Sequence, residues 1–327
     1  MKNHSSNPRY IILTLTIATL LAFFAMQAGA AYTTVTTPIT GTVSTTLSGS
    51  DIQILVSSDG NTISSDSGGN GIYAGSGGSV SIDKMSGGPD SLVINSGGGG
   101  VNVAGGTVSS DADLVINSGR NGVNNNGGTV NLAGVSIDAA SAASAANIAG
   151  INNTGSGSTT ISGDQALIRA ATSVDGTDAA AIANSGGSVS IKTSGDVLLA
   201  AKSNASSRNA SSLISNTGSS TVSVDAGGQV TFDVTAQSAK GLYNTASFGT
   251  GVTVTAAKGV SYAVTATNGE ATGIGASGSV IDFGKVNSVV VNATGGPAYG
   301  LFAQMEGSRL SGDVQSLTVN SYYTAYG

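Results

Sequence analysis

The apolar and polar residues of this chain alternate in short segments that recur at a nearly constant spacing. Five segments have an apolar residue, any residue and then asparagine, and each leads into a turn of small residues followed by an alternating strand. They are Val123-Asn124-Asn125, Ile151-Asn152-Asn153, Ile182-Ala183-Asn184, Ile214-Ser215-Asn216 and Leu242-Tyr243-Asn244. The apolar anchor position recurs at Ile72, Val101, Ile274 and Leu301, at spacings of 22 to 32 residues. A period of this size indicates a repeat architecture.

Two kinds of alternating segment follow each anchor. One comes directly after the turn, as in Ser79-Val80-Ser81-Ile82, and the other comes later, as in Leu92-Val93-Ile94. Both are short, rich in β-branched residues and of period two, so they predict strands rather than helices. A single repeat cannot form an independent sheet, whereas stacked copies pair above and below and bury one apolar interior.

The sequence therefore predicts an all-β protein, a single-stranded parallel β-helix or β-solenoid, with three sides and about 28–30 residues per turn. We expect a right-handed coil from the chirality of β-crossover connections.

The asparagine two residues after the anchor has a structural interpretation in this fold. Its side chain points the same way as the anchor, into the coil, because strand side chains alternate. A buried amide needs hydrogen bonds, and stacked amides can donate and accept along a column. The pattern predicts a ladder of Asn125, Asn153, Asn184, Asn216 and Asn244. The functional alternative is a row of exposed amides that binds a glycan.

The chain begins with the features of a secretory signal. A short positive region precedes an uncharged, almost wholly apolar run from Tyr10 to Met26, and Ala28 and Ala30 supply the small residues that signal peptidase reads. We expect residues 1–30 to be a signal peptide that is cleaved after Ala30. The alternative is an uncleaved anchor, because the apolar run is near the lower limit for crossing a bilayer.

The rest of the chain divides into two parts. Residues 31–70 lack the repeat asparagine, which predicts an N-terminal cap, since a solenoid needs an atypical first unit to cover its open end. Residues 71–327 predict the β-helix repeats. Gly327 falls at the glycine that precedes an anchor, so we expect the repeats to stop at an uncapped boundary.

Composition excludes several classes of function. Apolar residues make up 39% of the chain and charged residues 9%. Disordered proteins have the opposite balance, with few apolar and many charged residues. There is no cysteine, and the single histidine, His4, lies in the predicted signal peptide. Disulfides, imidazole catalysis and His/Cys zinc sites are therefore excluded from the mature chain. The net charge is −6 and the lysines and arginines are scattered, so we expect no nucleic-acid partner.

Carboxylates are the remaining candidates for enzyme chemistry. An acid/base pair or a cation site could be formed by Asp111, Asp113, Asp164, Asp175 and Asp178. The alternative is ordinary solvated turn chemistry, which we favour because these residues lie in turns. We expect no catalytic residue, no cofactor and no metal. An ice-binding face would need Thr-x-Thr at one position of every turn, and the two Thr-x-Thr segments of the repeats do not share a position.

The chain resembles the passenger region of Gram-negative autotransporters, the type V secreted adhesins and toxins. The resemblance covers about residues 1–327 and consists of the signal peptide, the capped start and the Gly/Ser/Thr/Asn/Val-rich repeats with few charges. It implies a right-handed parallel β-helix on a bacterial surface. The family's C-terminal β-barrel, with strands of about 10 residues and aromatic girdles, has no counterpart here, so we expect truncation before that barrel.

These observations predict a non-enzymatic, adhesin-like passenger. We expect it to be exported, at the cell surface, in the outer membrane or secreted, and periplasmic if the barrel is truly absent. Its expected partners are host or bacterial cell-surface molecules, protein or glycan, and further copies that stack end to end on the open last turn. Two alternatives remain: a carbohydrate-active β-helix enzyme of the polysaccharide lyase or hydrolase type, and a non-functional remnant of a longer autotransporter.

Overall fold

The structure is a computed structural model that describes residues 30–35, 39–45, 51–56, 61–66, 68–85, 91–141, 147–204, 210–246, 251–321 and 323–326. This part of the chain is all-β, and its parallel strands stack as a β-solenoid, which confirms the predicted fold class. No helix among these residues is long and apolar enough to cross a membrane. The predicted signal peptide up to residue 29, including Ala28, and the predicted boundary at Gly327 lie outside the described residues.

Each complete turn of the coil contributes a strand to each of three faces, and the strands are numbered in chain order. The first face contains β1 (Ala30–Val35), β4 (Asp51–Val56), β7 (Ser79–Lys84), β10 (Thr107–Ser110), β13 (Thr129–Leu132), β16 (Ser158–Gly163), β19 (Ser188–Thr193), β22 (Thr221–Ala226) and β25 (Gly251–Ala256). The second contains β2 (Ile39–Thr40), β5 (Asn61–Ser65), β8 (Ser91–Ser96), β11 (Asp113–Ser118), β14 (Val135–Ser141), β17 (Ala166–Thr172), β20 (Val197–Ser203), β23 (Gln229–Ala236) and β26 (Gly259–Ala266). The long strands β28 (Val280–Thr294) and β30 (Arg309–Asn320) run through the corner and belong to both.

The third face is a separate 11-stranded sheet. It contains β3 (Val43–Thr45), β6 (Ile72–Ala74), β9 (Val101–Ala104), β12 (Val123–Asn126), β15 (Ile148–Thr154), β18 (Ala179–Asn184), β21 (Ala210–Gly218), β24 (Ser238–Ala246), β27 (Ala271–Ser277), β29 (Ala298–Gln304) and β31 (Tyr323–Tyr326). The apolar anchors of the sequence pattern form one column of this face, because each is the register partner of the next. Strands from residues 30–66 already pair within the same three faces.

The core consists of the inward side chains of the three faces, stacked like on like. On the second face one such column is almost completely buried along its length. It contains Ile63, Ile94, Ile116, Ile137, Ile168, Leu199, Phe232, Tyr262 and Val291. Alternation therefore decides which residues are inside, and parallel register decides which of them touch.

A glycine precedes seven of the nine anchors, where the second and third faces meet, whereas Ala181 and Leu213 precede Ile182 and Ile214. A Cβ at Gly100 would lie 2.1 Å from Cγ2 of Ile116, and one at Gly122 would lie 2.2 Å from Cγ2 of Ile137. Equivalent contacts with β-branched side chains occur at Gly71, Gly150, Gly273 and Gly300. A close approach of this kind leaves no room for a side chain, so the glycine column and the β-branched column depend on each other.

Candidate functional site

The repeat asparagines lie inside the coil on the third face, and each is at most 1% exposed. Four of them form a continuous series: Asn153, Asn184, Asn216 and Asn244. Within this series the Nδ2 group of one residue donates to Oδ1 of the next, at 2.9, 3.0 and 3.1 Å. Backbone carbonyls accept further N–H groups, as buried amides require. These side chains are inaccessible to a ligand, so any contact with a glycan must come from the outer surface.

Asn125 joins this column through a hydroxyl group. Its Nδ2 donates to Thr159 Oγ1 at 3.2 Å, and that hydroxyl donates to Asn153 Oδ1 at 3.2 Å. Thr159 is fully buried and occupies the position of Val130 and Val189 in the neighbouring turns. The repeat pattern of anchors and asparagines does not single out Thr159. The signal in the sequence is a threonine at an inward position that is valine in the neighbouring turns, because a buried hydroxyl needs a partner.

A second series of amides runs along the outside of the third face. Asn124 Nδ2 donates to Asn102 Oδ1 at 2.9 Å, and Asn152 Nδ2 donates to Asn124 Oδ1 at 2.7 Å. All the amide donors point toward the preceding turn. Asn152 Oδ1 therefore accepts no hydrogen bond from any described residue, and the next residue of its column is Ala183.

Beyond Asn152 the outer surface of the third face forms a shallow depression of about 520 Å³, which we call the third-face trough. Its lining includes Asn147, Asn152, Ala180, Ala183, Lys240 and Tyr243. The two outward columns carry only small residues between the ends, since Ala180 pairs with Ser212 and Ala183 with Ser215. The next pairs are Ser212 with Lys240 and Ser215 with Tyr243. Large side chains therefore lie at both ends of a stretch of sheet whose own outward residues are small.

The aromatic end of the trough is held in place by its neighbours. Lys240 Nζ lies 3.9 Å from the centroid of the Tyr243 ring, within the range of a cation–π interaction. The ring also extends over Gly275 in the next turn, where an added Cβ would lie 2.8 Å from Tyr243 Cδ2. A side chain at position 275 would displace the ring, so the glycine and the lysine together fix its position.

The structure does not bring the five acidic candidates together. Asp111 and Asp113 flank the buried Ala112 at the corner between the first and second faces. Asp111 lines a depression on the first face, whereas Asp113 lines another on the second face with Asp164. Asp111 and Asp113 therefore face different depressions and do not form the pair that general acid/base catalysis would need.

The remaining two acidic candidates lie elsewhere. Asp178 lines the third-face trough, and Asp175 is exposed in the turn before β18. Across the described ranges, no group of three or more His, Cys, Asp or Glu residues could hold a metal ion.

The corner carboxylates have structural hydrogen bonds instead. Asp111 Oδ1 accepts from the Lys84 N–H at 2.7 Å, and Asp113 Oδ1 accepts from the Gly134 N–H at 3.0 Å. Asp164 Oδ1 accepts from the Ser194 hydroxyl at 3.0 Å, so each carboxylate joins two turns of the coil. A charged acceptor is well suited to backbone groups that leave the sheet ladder at a corner.

Between residues 79 and 253 the first face carries two outward columns of short polar residues without a charge. One contains Ser79, Thr107, Thr129, Ser158, Ser188 and Thr221, and the other contains Ser81, Ser109, Asn131, Thr160, Ser190, Ser223 and Thr253. No Thr-x-Thr pattern marks these columns, because serine, threonine and asparagine are mixed within them. Thr253-Val254-Thr255 lies on β25 of the first face, whereas Thr265-Ala266-Thr267 begins on β26 of the second face and ends one residue beyond it.

Comparison of the chain with protein-family models, with curated proteins and with solved structures found no match. A function is therefore proposed from the residues on the outer surface of the coil.

Proposed function

We propose that this protein is an exported, non-enzymatic, adhesin-like β-helix that binds molecules of a cell surface. The observation that carries the proposal is the outer surface, which presents long, regular columns of hydroxyl and amide groups and an open trough. An enzyme of the polysaccharide lyase or hydrolase type would need its carboxylates at one site. Asp113 and Asp164 line one depression with Asp196, but each of these carboxylates accepts a hydrogen bond from a neighbouring turn. Asp111 and Asp178 line two other depressions.

The rigidity of the coil favours binding by an extended surface. Serine, threonine and asparagine side chains on paired strands have little rotamer freedom to lose, so ordering them on binding costs little. Their uncharged groups are also cheaper to desolvate than charged ones. Many weak, regularly spaced contacts would then add up along the coil axis, which suits attachment to a large surface.

Export and location follow from the signal-like N-terminus and from the resemblance to autotransporter passengers. The partners we propose are host or bacterial surface molecules that meet the coil outside the cell. This placement is consistent with the absence of cysteine from the sequence, because a chain that crosses an envelope unfolded has no disulfide to obstruct it.

The test compares bacteria that express the full chain with the same bacteria that lack it. We expect expression to raise attachment to epithelial cells or to neighbouring bacteria. Asp164→Asn is the matched variant, since an asparagine Oδ1 still accepts from Ser194, and it should attach as the wild type does. Equal attachment with and without the protein would contradict the proposal. Release of product from a polysaccharide by the wild type, but not by Asp164→Asn, would favour the enzyme.

A further inference from the structure

We propose that the third-face trough binds a neutral oligosaccharide that lies along the coil axis. This inference rests on the proposed function, because it names the class of surface molecule that one part of the coil recognises. It is carried by the shape of the trough, by the unpaired polar groups at its rim and by its balanced charge.

The shape of the trough fits an extended chain. Asn152 and Tyr243 mark its ends and lie three turns apart, since the column between them holds only Ala183 and Ser215. At roughly 4.8 Å for each turn, this separation is about 14 Å. The space is open to solvent, so a linear molecule can enter from outside without any movement of the fold.

The rim offers hydrogen-bonding groups of both kinds. Asn152 Oδ1 is a free acceptor, as its position at the end of the outer amide series requires. Asn147 uses its Oδ1 to accept from the Asp178 N–H at 3.0 Å, so its Nδ2 group remains available to a ligand. Thr217 also lines the trough, and its hydroxyl bonds to no described residue. Sugar hydroxyls both donate and accept, so they can satisfy all three groups.

The floor and the aromatic end supply apolar contact. Ala180 and Ala183 present methyl groups, and Tyr243 presents a ring fixed by Lys240. Ligand sites commonly combine an apolar floor with a few placed polar groups. A sugar ring has C–H groups on its faces and hydroxyls around its edge, and this distribution matches the trough.

The charge of the trough favours a neutral ligand. Among its described lining residues, Asp178 and Lys240 are the charged ones, and their charges are opposite. A polyanion would be attracted to Lys240 but repelled by Asp178, which gives no net preference for either sign.

The position of the trough argues against a peptide strand as the ligand. A peptide that adds to a sheet pairs with an exposed strand edge. The trough lies on the face of β15, β18, β21 and β24, whose edges are already paired with the strands above and below. A glycan needs no backbone edge and can be held by side chains alone.

The test measures binding of the full chain by isothermal titration calorimetry. The probes are maltotriose, cellotriose, chitotriose and trigalacturonate, together with surface polysaccharide extracted from the cells to which the protein attaches. Ala183→Leu fills the trough from an outward position, and Tyr243→Ala removes its aromatic end. Tyr73→Ala is the control, because Tyr73 lies in the same outward column but outside the trough. Circular dichroism checks that each variant is folded.

We expect the wild type to bind at least one neutral probe, and both trough variants to weaken that binding by at least about tenfold, as loss of a central contact does. Tyr73→Ala should bind as the wild type does. Equal binding by all variants would overturn the location, and a preference for trigalacturonate would overturn the neutral class. Persistent cell attachment without binding to any probe would overturn the glycan inference and leave the proposed function standing. Equal attachment of bacteria with and without the wild-type protein would count against the proposed function.

Discussion

At the scale of single residues, the ends of the buried amide column explain its length. Asn125 faces Val103 in the preceding turn, and Asn244 faces Ala276 in the following one. At these ends the amides form hydrogen bonds with the backbone. The Gly128 N–H donates to Asn125 Oδ1 at 3.0 Å, and Asn244 Nδ2 donates to the Val280 carbonyl at 2.8 Å. Backbone groups thus satisfy the amide atoms that lack an asparagine neighbour at the two ends of the column.

Replacement of Asn184 by alanine should lower the free energy of unfolding by about 1–3 kcal/mol, the cost of leaving buried polar partners unsatisfied. The Thr221 carbonyl loses its donor at 2.9 Å, and Asn216 Oδ1 loses a donor at 3.0 Å. Asn124→Ala, at an outward position, should change stability by no more than about 0.5 kcal/mol. Urea denaturation of both variants measures the difference, and equal losses would contradict a special role for the buried column.

At the scale of strands, the second face changes from aliphatic to aromatic packing along its inward column. Phe232 of β23 and Tyr262 of β26 stack with centroids 4.3 Å apart and planes 8° apart, and Phe283 of β28 meets Tyr262 edge-on. The parallel register brings Phe232 and Tyr262 together in successive turns, whereas Phe283 approaches from the part of β28 that pairs with the first face. The Tyr262 hydroxyl is the exception in this packing, because it is fully buried and has no hydrogen-bond partner in the described part of the coil.

Tyr262→Phe should therefore stabilise the coil by about 1–3 kcal/mol, since it removes an unsatisfied hydroxyl and keeps the stacked ring. Burial also raises the pKa of Tyr262 well above its ordinary value of 10.0. Above about pH 10 the unfolded chain loses this proton while the folded chain keeps it, so wild-type stability falls as the pH rises.

The phenylalanine variant should lack that part of the pH dependence. Thermal melting between neutral pH and pH 11 measures both effects. Tyr243→Phe, at a half-buried outward position, is the control and should not be stabilised, because its hydroxyl is not buried. A destabilised Tyr262→Phe variant would indicate that the hydroxyl has a partner in solution.

At the scale of the whole molecule, the coil is a series of turns in which each turn contacts its neighbours. The pairings run from each strand to its counterpart one turn away on all three faces. Stability in such an array is a sum of local terms and interfaces between adjacent units. A complete turn is therefore a removable unit, whereas part of a turn is not.

Deletion of Val123 to Gly150, one complete turn, should leave a folded β-solenoid, because it joins Gly122 to Ile151 and keeps the anchor next to its glycine. Deletion of residues 123–136 alone should disrupt folding, since β15 and β16 would lose their partners β12 and β13, and the rest of β14 would follow β11 without a strand on the other two faces between them. Circular dichroism and size-exclusion chromatography distinguish these outcomes. A half-turn deletion that folds as well as the full-turn deletion would contradict strict register between turns.

The sequence by itself determined the repeat, the strands and the inward position of Asn125 and its counterparts. Alternation of apolar and polar residues is a local property, and the anchors recur often enough to define a column without any coordinates. The expected turn of about 28–30 residues was close, although the actual spacing of 22 to 32 residues varies because the corners differ in length.

The tertiary structure alone decided which outward residues of different turns become neighbours. Asn152, Ala183 and Tyr243 form one trough only because three successive registers align them. The separation of Asp111 from Asp113 depends in the same way on where the corner falls between them. Inward residues must satisfy packing that leaves a pattern in the sequence, whereas outward residues are free to vary, so their neighbourhoods arise from the stacking of turns.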